Sequence, residues 1–323
     1  MQQTMTHATT LSSAAGIDAG KFFLDVAVAP KTSTFRVDNS PDGIKIVLKR
    51  LKQAGIVRVV LEAIGGYAQP LVRALSAKGF SVGIVNPRRI KAFRDAEGKR
   101  AKNDRMDALL IARFALAMTD AIRPLPSEDQ LALKALATRR RQLVEMIAME
   151  KTRLKQAQGP LIAASHRKAI EVLTIERKTI EDELDCRLAS DRHMRQRREI
   201  YASIPGVGKR IATVLATEMP ELGSIDRRAA GSLAGLAPHI HQSGMSRGRA
   251  QIGGGRPCVR AALYMAALSA VRSNSNFKKT YKDMRDAGKP AKIALVAVAR
   301  KIVTIANALA KAGKLFDGNH VGS

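Results

Sequence analysis

A long glycine-poor stretch in the middle of the chain constrains the fold more than any other feature. Two runs, LALKALATRRRQLVEMIAMEKTRLKQA and RKAIEVLTIERKTIEDELDCRLA, carry apolar residues at spacings of three and four, with Gly159-Pro160 between them. That spacing marks one face of a helix, and a glycine–proline break between two such faces ends one helix and starts the next. The expectation is a coiled-coil hairpin of two long antiparallel helices, a device for oligomerisation or an extended arm. It divides the chain into parts spanning 1–126, 127–200 and 201–323.

The first part alternates between two patterns. GIDAGKFFLDVAVAP places Ile17, Phe23, Val26 and Val28 as a strand turning into a hairpin partner, and Phe35-Arg36-Val37 extends the sheet. Ser40-Pro41 is an N-cap followed by a first-turn proline, which predicts a helix ending near Gly55. VRVVLEAIG (57–65) is a buried strand by its β-branched run. A helix over 69–78, closed by Gly79, precedes a strand, SVGIVNP (81–87), stopped by Asn86-Pro87. A basic stretch then leads into a helix over 103–117. Strands alternating with helices give an α/β domain with a partly parallel sheet.

The third part reads as mostly helical, with one loop rich in glycine and arginine, HQSGMSRGRAQIGGGRP (241–257). Its most apolar segment, AKIALVAVARKIVTIANALA, is cut by Arg300 and Lys301, which predicts a buried closing helix and no membrane anchor. IPGVGKRIA (204–212) lacks P-loop spacing and has two readings. One is a helix–hairpin–helix turn whose amides, with Lys209 and Arg210, hold a DNA phosphate. The other is a plain glycine turn between two helices.

Charge narrows the partner. The chain has 55 Lys and Arg against 28 Asp and Glu, a net charge of +27. A phosphate-rich partner relieves that self-repulsion, so nucleic acid is favoured over a membrane surface or a small metabolite. Aromatics make up 4% with no Trp, so stacking on single strands is not expected to be the main mode of binding. Cys186 and Cys258 have no Cys or His at ligand spacing, which excludes a zinc finger and argues against a disulfide scaffold. MQQTMTHATTLSSAAG lacks a basic start followed by an apolar run, so a cytoplasmic, nucleoid-associated protein without a secretory leader is expected.

The carboxylates of the first part carry the chemistry. Asp18 follows the first strand's Gly16-Ile17, and Glu62 ends the hydrophobic run VVLEA; both stand where propensity favours an apolar residue. Asp104 and Asp107, at i and i+3 of NDRMDALLIARFALA, share one helix face behind Asn103 as cap. Taken singly, Asp104 is an ordinary first-turn acid, and Asp25 and Asp38 are ordinary strand-edge or turn acids. As an ordered set, Asp18, Glu62, Asp104 and Asp107 are oxygen-only donors suited to Mg²⁺ or Mn²⁺ in phosphoryl transfer. Arg88, Arg89, Lys91, Arg94, Lys99, Arg100, Lys102 and Arg105 crowd the approach and would seat a phosphate backbone.

Strand Asp, strand Glu, then a helical Asp pair resembles an RNase H-like, RuvC-type nuclease core. GIDAGK, LEAIGGY, KRAKNDRMDALLIARF, IPGVGKRIA and GLAPHIHQSGMSRGRAQIGGGRP, in that order, resemble family 110 of the bacterial insertion sequences, the DEDD transposases. The resemblance implies a RuvC-like domain, a coiled-coil hairpin and a mostly α C-terminal transposase domain. It implies a DEDD metal site on Asp18, Glu62, Asp104 and Asp107, and a serine nucleophile before a glycine, here Ser243, with Ser246 as the fallback. It also implies cleavage and exchange of double-stranded target and donor DNA, a noncoding bridge RNA that pairs with both, and a homodimer assembling to a tetramer. Arg247, Arg249 and Arg256 flank the serine and would stabilise a pentavalent phosphate. His239 and His241 read as solvated loop residues.

Two other function classes compete with the recombinase. One is a RuvC-type structure-specific nuclease that uses metal-activated water and needs no serine. The other is a non-catalytic nucleic-acid scaffold.

Overall fold

The computed structural model describes residues 13–62, 66–98, 104–118, 123–124, 127–239, 242–243, 246–247 and 251–318; at 104, 105, 123, 124, 242, 243, 246 and 247 the description is of the backbone. The chain divides into two compact units, Met1–Pro126 and Ser127–Ser323.

In the first unit β1 (Ala14–Ala19), β2 (Phe23–Ala29) and β3 (Ser33–Asp38) form an antiparallel meander. α1 (Pro41–Gln53) follows, then β4 (Arg58–Glu62), α2 (Gln69–Ala77), β5 (Ser81–Val85), α3 (Pro87–Ala96), α4 (Asp104–Ala117) and β6 (Arg123–Pro124). The strand order is β3-β2-β1-β4-β5-β6. β4 runs parallel to both β1 and β5, and β6 closes the edge antiparallel to β5. A sheet of order 3-2-1-4-5 with strand 2 reversed is the RNase H-like, RuvC-type α/β fold.

Alternation along the strands sorts the core into two layers. Ile17, Leu24, Val26, Val59 and Leu61 turn to one face and meet Ile44, Val47 and Leu51 of α1 and Leu71 and Leu75 of α2. Val60 and Val85 turn to the other face and meet Ile90 of α3 with Leu110, Ile111 and Phe114 of α4. On that second face Ala27 and Ala29 meet Ala108 and Ala112. The smallest side chain of the contact is Gly16: a methyl group there would run into the backbone of Ala108 and Ala112. Small residues thus let α4 lie directly on β1 and β2.

Local signals account for the helix starts. The Ser40 hydroxyl caps α1 by accepting from the Gly43 amide at 3.2 Å, with Pro41 in the first turn. The basic stretch holds a helix that the sequence reading passed over. Asn86 caps α3 by accepting from the Arg88 amide at 2.9 Å, and Pro87 opens it.

The second unit is mostly helical. α5 (Glu128–Gln156) begins at a capping box between Ser127 and Gln130. α6 (Pro160–Ser190) returns antiparallel to it, with Arg140 paired to Glu181 at 2.8 Å and Glu150 to His166 at 2.6 Å nearer the turn. α7 (Arg192–Ala202), α8 (Lys209–Glu218), α9 (Arg227–Leu233), α10 (Pro257–Ser273), α11 (Ser275–Asp286) and α12 (Ala291–Ala312) complete the unit.

α12 is long and apolar enough to cross a membrane despite Arg300 and Lys301, so those two residues do not decide the question as the sequence reading supposed. Packing is the better witness: Val298, Ile302, Val303, Ala306 and Leu309 lie in the core. Asn307, buried on the same helix, accepts from the Gly223 amide and donates to the Ile225 carbonyl, each at 2.8 Å.

Candidate active site

β1 and β4 bring the first two acids together. Their parallel register pairs Ile17 with Leu61, so Asp18 and Glu62 follow as neighbours at the same strand ends. Alternation puts Asp18 on the face of Gly16 and Glu62 on the face of Val60, the side that α4 covers.

α4 carries the second pair. Because Ala108 sits against Gly16, Asp107 lies in the turn of α4 that overlooks β1. Asp107 is 8% exposed and accepts from the Arg94 guanidinium of α3 at 2.5 Å. A buried carboxylate needs such a partner, and Arg94 is the residue the basic run contributes inward. Asp104 opens α4, and its side chain lies outside the described residues.

A fifth acid belongs to the same face. Asp25 is directly opposite Asp18 in the β1–β2 register and Arg36 directly opposite Asp25 in the β2–β3 register. Far from being an ordinary edge acid, Asp25 is 4% exposed. Both of its oxygens accept from Arg36, Nε at 3.0 and 3.1 Å and Nη2 at 2.7 Å. A row Arg36, Asp25, Asp18, Glu62 therefore crosses four strands. Asp38, by contrast, is exposed at the end of β3.

The donor chemistry suits a hard divalent cation, since every candidate is a carboxylate. Among the described residues, no three His, Cys, Asp or Glu side chains form a group that holds a metal as they stand. Asp107 is occupied by Arg94, and the Asp104 side chain lies outside that set.

Of the basic candidates, Arg88, Arg89 and Lys91 are exposed on α3. Lys99, Arg100 and Lys102 lie outside the described residues, and Arg105 is placed on α4 by its backbone alone.

In the second unit Ser243 lies on β8 (Gln242–Ser243), which pairs with β9 (Ser246–Arg247) so that Ser243 and Ser246 are cross-strand partners. Outside this pair, β7 (Pro238–His239) meets β10 (Gln251–Ile252). His239 is exposed, its Nε2 at 3.3 Å from the Gly253 carbonyl; His241 and Arg249 lie outside the described residues. Arg256 is committed elsewhere: its two terminal nitrogens donate to Glu221 at 2.8 and 2.5 Å. That makes it an internal brace, not an open phosphate ligand.

The 204–212 turn joins α7 to α8. Gly206 takes φ +82, and a methyl there would strike the Ala266 carbonyl and Ala270 of α10, so the turn is built into the core. Lys209 pairs with Asp185 at 2.7 Å, a partner it shares with Arg198. Arg210 is exposed at the start of α8.

Two family models match this chain. A transposase model of the DEDD, IS110 type covers residues 15–157, and one described as transposase IS116/IS110/IS902 family covers 198–282. The chain belongs to the IS110 family of transposases. All four acids of the DEDD set lie in the first matched span, and Ser243 in the second. The transposase is similar to the pilin gene-inverting proteins of Moraxella lacunata and Moraxella bovis, each 28% identical over 265 residues, 81% of this chain and 82% of theirs. It is 29% identical over 120 residues to an IS110 insertion-element protein of Streptomyces coelicolor, 36% of this chain and 30% of that one. Among solved structures, T. thermophilus RuvC in complex with a Holliday junction substrate aligns at 20% identity and a TM-score of 0.29, over 35% of this chain and 99% of its own. The strand order alone establishes the fold.

Three features of the site escaped the sequence reading: Arg94 as the partner of Asp107, Asp25 as a buried acid, and α3 as a helix. Only the last had a local signal, the Asn86-Pro87 cap.

Proposed function

We propose that this transposase cleaves and rejoins double-stranded target and donor DNA with Ser243 as nucleophile and Asp18, Glu62, Asp104 and Asp107 as ligands for Mg²⁺ or Mn²⁺. The observation that supports the reading is that Asp18 and Glu62 are neighbours at the ends of two parallel central strands, on the face covered by α4, whose turn bearing Asp107 overlooks β1. The divalent metal, when bound, supplies positive charge for the scissile phosphate and lowers the pKa of the attacking hydroxyl.

The chain's own residues do the rest. Arg88, Arg89 and Lys91 hold the phosphate backbone through charge. The Ser243 oxygen bonds to phosphorus as one deoxyribose oxygen leaves with a proton. The phosphoserine conserves the phosphodiester energy, and a second sugar hydroxyl displaces serine, so exchange needs no ATP. The family likeness further supports a noncoding bridge RNA pairing with target and donor. It also supports a homodimer assembling to a tetramer, with Ser243 of one subunit serving the acids of another, at work in the cytoplasm on the nucleoid.

Three substitutions and one purification test this. Ser243→Ala abolishes the covalent protein–DNA adduct and all strand exchange; continued cutting by this variant would instead mean a nuclease using water. Asp18→Asn and Asp104→Asn abolish cleavage; unchanged function in them would mean a non-catalytic scaffold. Protein expressed with its native flanking DNA retains one specific short RNA on purification, and recovery of random cellular RNA would refute guidance.

A further inference from the structure

All 8 Phe and 4 Tyr of the chain lie among the described residues, and three of them, Phe22, Phe23 and Tyr67, are exposed. The main chains of Phe22 and Tyr67 meet at Asn39. Phe22 is in the turn between β1 and β2, Phe23 opens β2, and Tyr67 is in the short helical turn that follows Glu62. One side chain ties the two turns. Asn39 Nδ2 donates to the Gly20 carbonyl at 2.8 Å and to the Tyr67 carbonyl at 3.0 Å, and its backbone amide donates to the Phe22 carbonyl at 2.7 Å. Phe23 is already partly covered, with the Arg36 guanidinium 5.2 Å from its ring centre. Phe22 is 67% and Tyr67 52% exposed, and the Lys21 ammonium stands 5.1 Å from the Phe22 ring centre.

We infer that Phe22 and Tyr67 form a stacking platform for an unpaired DNA base immediately beside Asp18 and Glu62. The inference rests on the reading of those acids as the place where DNA is cut. Its chemistry is that of a nucleotide site: ring faces for a base and a lysine for the adjoining phosphate. A paired duplex hides its base faces, so the rings select a strand that is locally melted or distorted at the phosphate to be cut. The low aromatic content, which argued against stacking, conceals where the few exposed rings are placed.

The test uses the full chain with metal chelated, so that binding is read without cleavage. Two short DNA duplexes of equal length serve as probes, one fully paired and one with a central mismatched bubble containing 2-aminopurine. Wild type binds the bubble more tightly than the paired duplex and quenches the fluorescent base. Phe22→Ala and Tyr67→Ala lose about five- to a hundredfold in bubble affinity with duplex affinity unchanged, and Tyr67→Phe retains the preference. Both sites are on the surface, and melting curves confirm that the variants fold. If the alanine variants keep the wild-type preference and quenching, the platform is refuted while DNA binding stands. If the alanine variants instead change the assembly state and leave bubble affinity intact, the rings cover a protein partner and the platform is likewise refuted. If wild type binds neither probe, the reading of the acids as a DNA site fails and takes the platform with it.

Discussion

Replacing Gly16 with alanine adds one carbon at the point where α4 rests on β1. The position that carbon must take overlaps the Ala108 carbonyl and the Ala112 amide and lies 2.9 Å from the Ala112 Cα. Non-bonded carbons settle at about 3.5–4.0 Å, so α4 has to withdraw by about 0.6–1.1 Å. Every atom in the way is backbone, and no rotamer change relieves the overlap. Overpacking of this kind costs about 1–3 kcal/mol, and here the upper end applies. For a unit of this size that is a fall of about 10 °C in Tm. The withdrawal also carries the first turn of α4 away from β1, and with Asp104 and Asp107 as the proposed metal ligands a displacement of about 1 Å costs about a hundredfold in rate. Differential scanning calorimetry and a strand-exchange assay on native donor DNA read the two effects. Gly66→Ala, where an added methyl meets nothing within 4 Å, is the stability control. A Gly16→Ala protein that melts within about 1 °C of the parent and exchanges strands at the parent rate would refute the close-packing argument.

Other perturbations separate packing from chemistry. Asp25→Ala strips Arg36 of its two-oxygen partner and lowers stability in urea by about 1–2 kcal/mol, the lower part of the usual range because the Arg36 side chain is 35% exposed to water. Asn307→Leu leaves the Gly223 amide and the Ile225 carbonyl unpaired and costs about 2–4 kcal/mol by the same assay, with the m-value unchanged. The Glu150 carboxyl is held below its ordinary value of 4.5, first by its hydrogen bond to His166 and then by Arg153. A depressed acid stabilises the fold above its unfolded-state pKa and stops doing so as pH falls through the folded-state value. Amide exchange around the α5–α6 turn, corrected for intrinsic rates, therefore accelerates as pH is taken below about 4.5, and Glu150→Gln removes that dependence.

What could be read from the sequence was whatever is encoded locally. Ser40-Pro41 announces α1 because the cap and the first-turn proline act within one turn of chain. Asp18 and Glu62 stand out because each ends an apolar run, and the parallel pairing of those runs makes them neighbours. Asn86-Pro87 encodes α3 by the same rule as α1, but the density of charge after it masked the helix. Asp25 could not be read as buried, because its burial depends on Arg36 from the next strand, a pairing that exists only once the meander forms. The Arg94–Asp107 contact is still less local, since it depends on how α3 and α4 pack on the sheet.

Asn307 gives the closing helix a single seat. A cylinder surfaced with Ala, Val and Ile is smooth, and rotating or sliding it by a residue exchanges one greasy contact for another at little penalty. One amide, held at both ends by main-chain groups, turns every such slip into a pair of broken bonds in a dry interior. The polar residue in the most apolar element thus acts as a key, and the helices around α12 inherit their alignment from it.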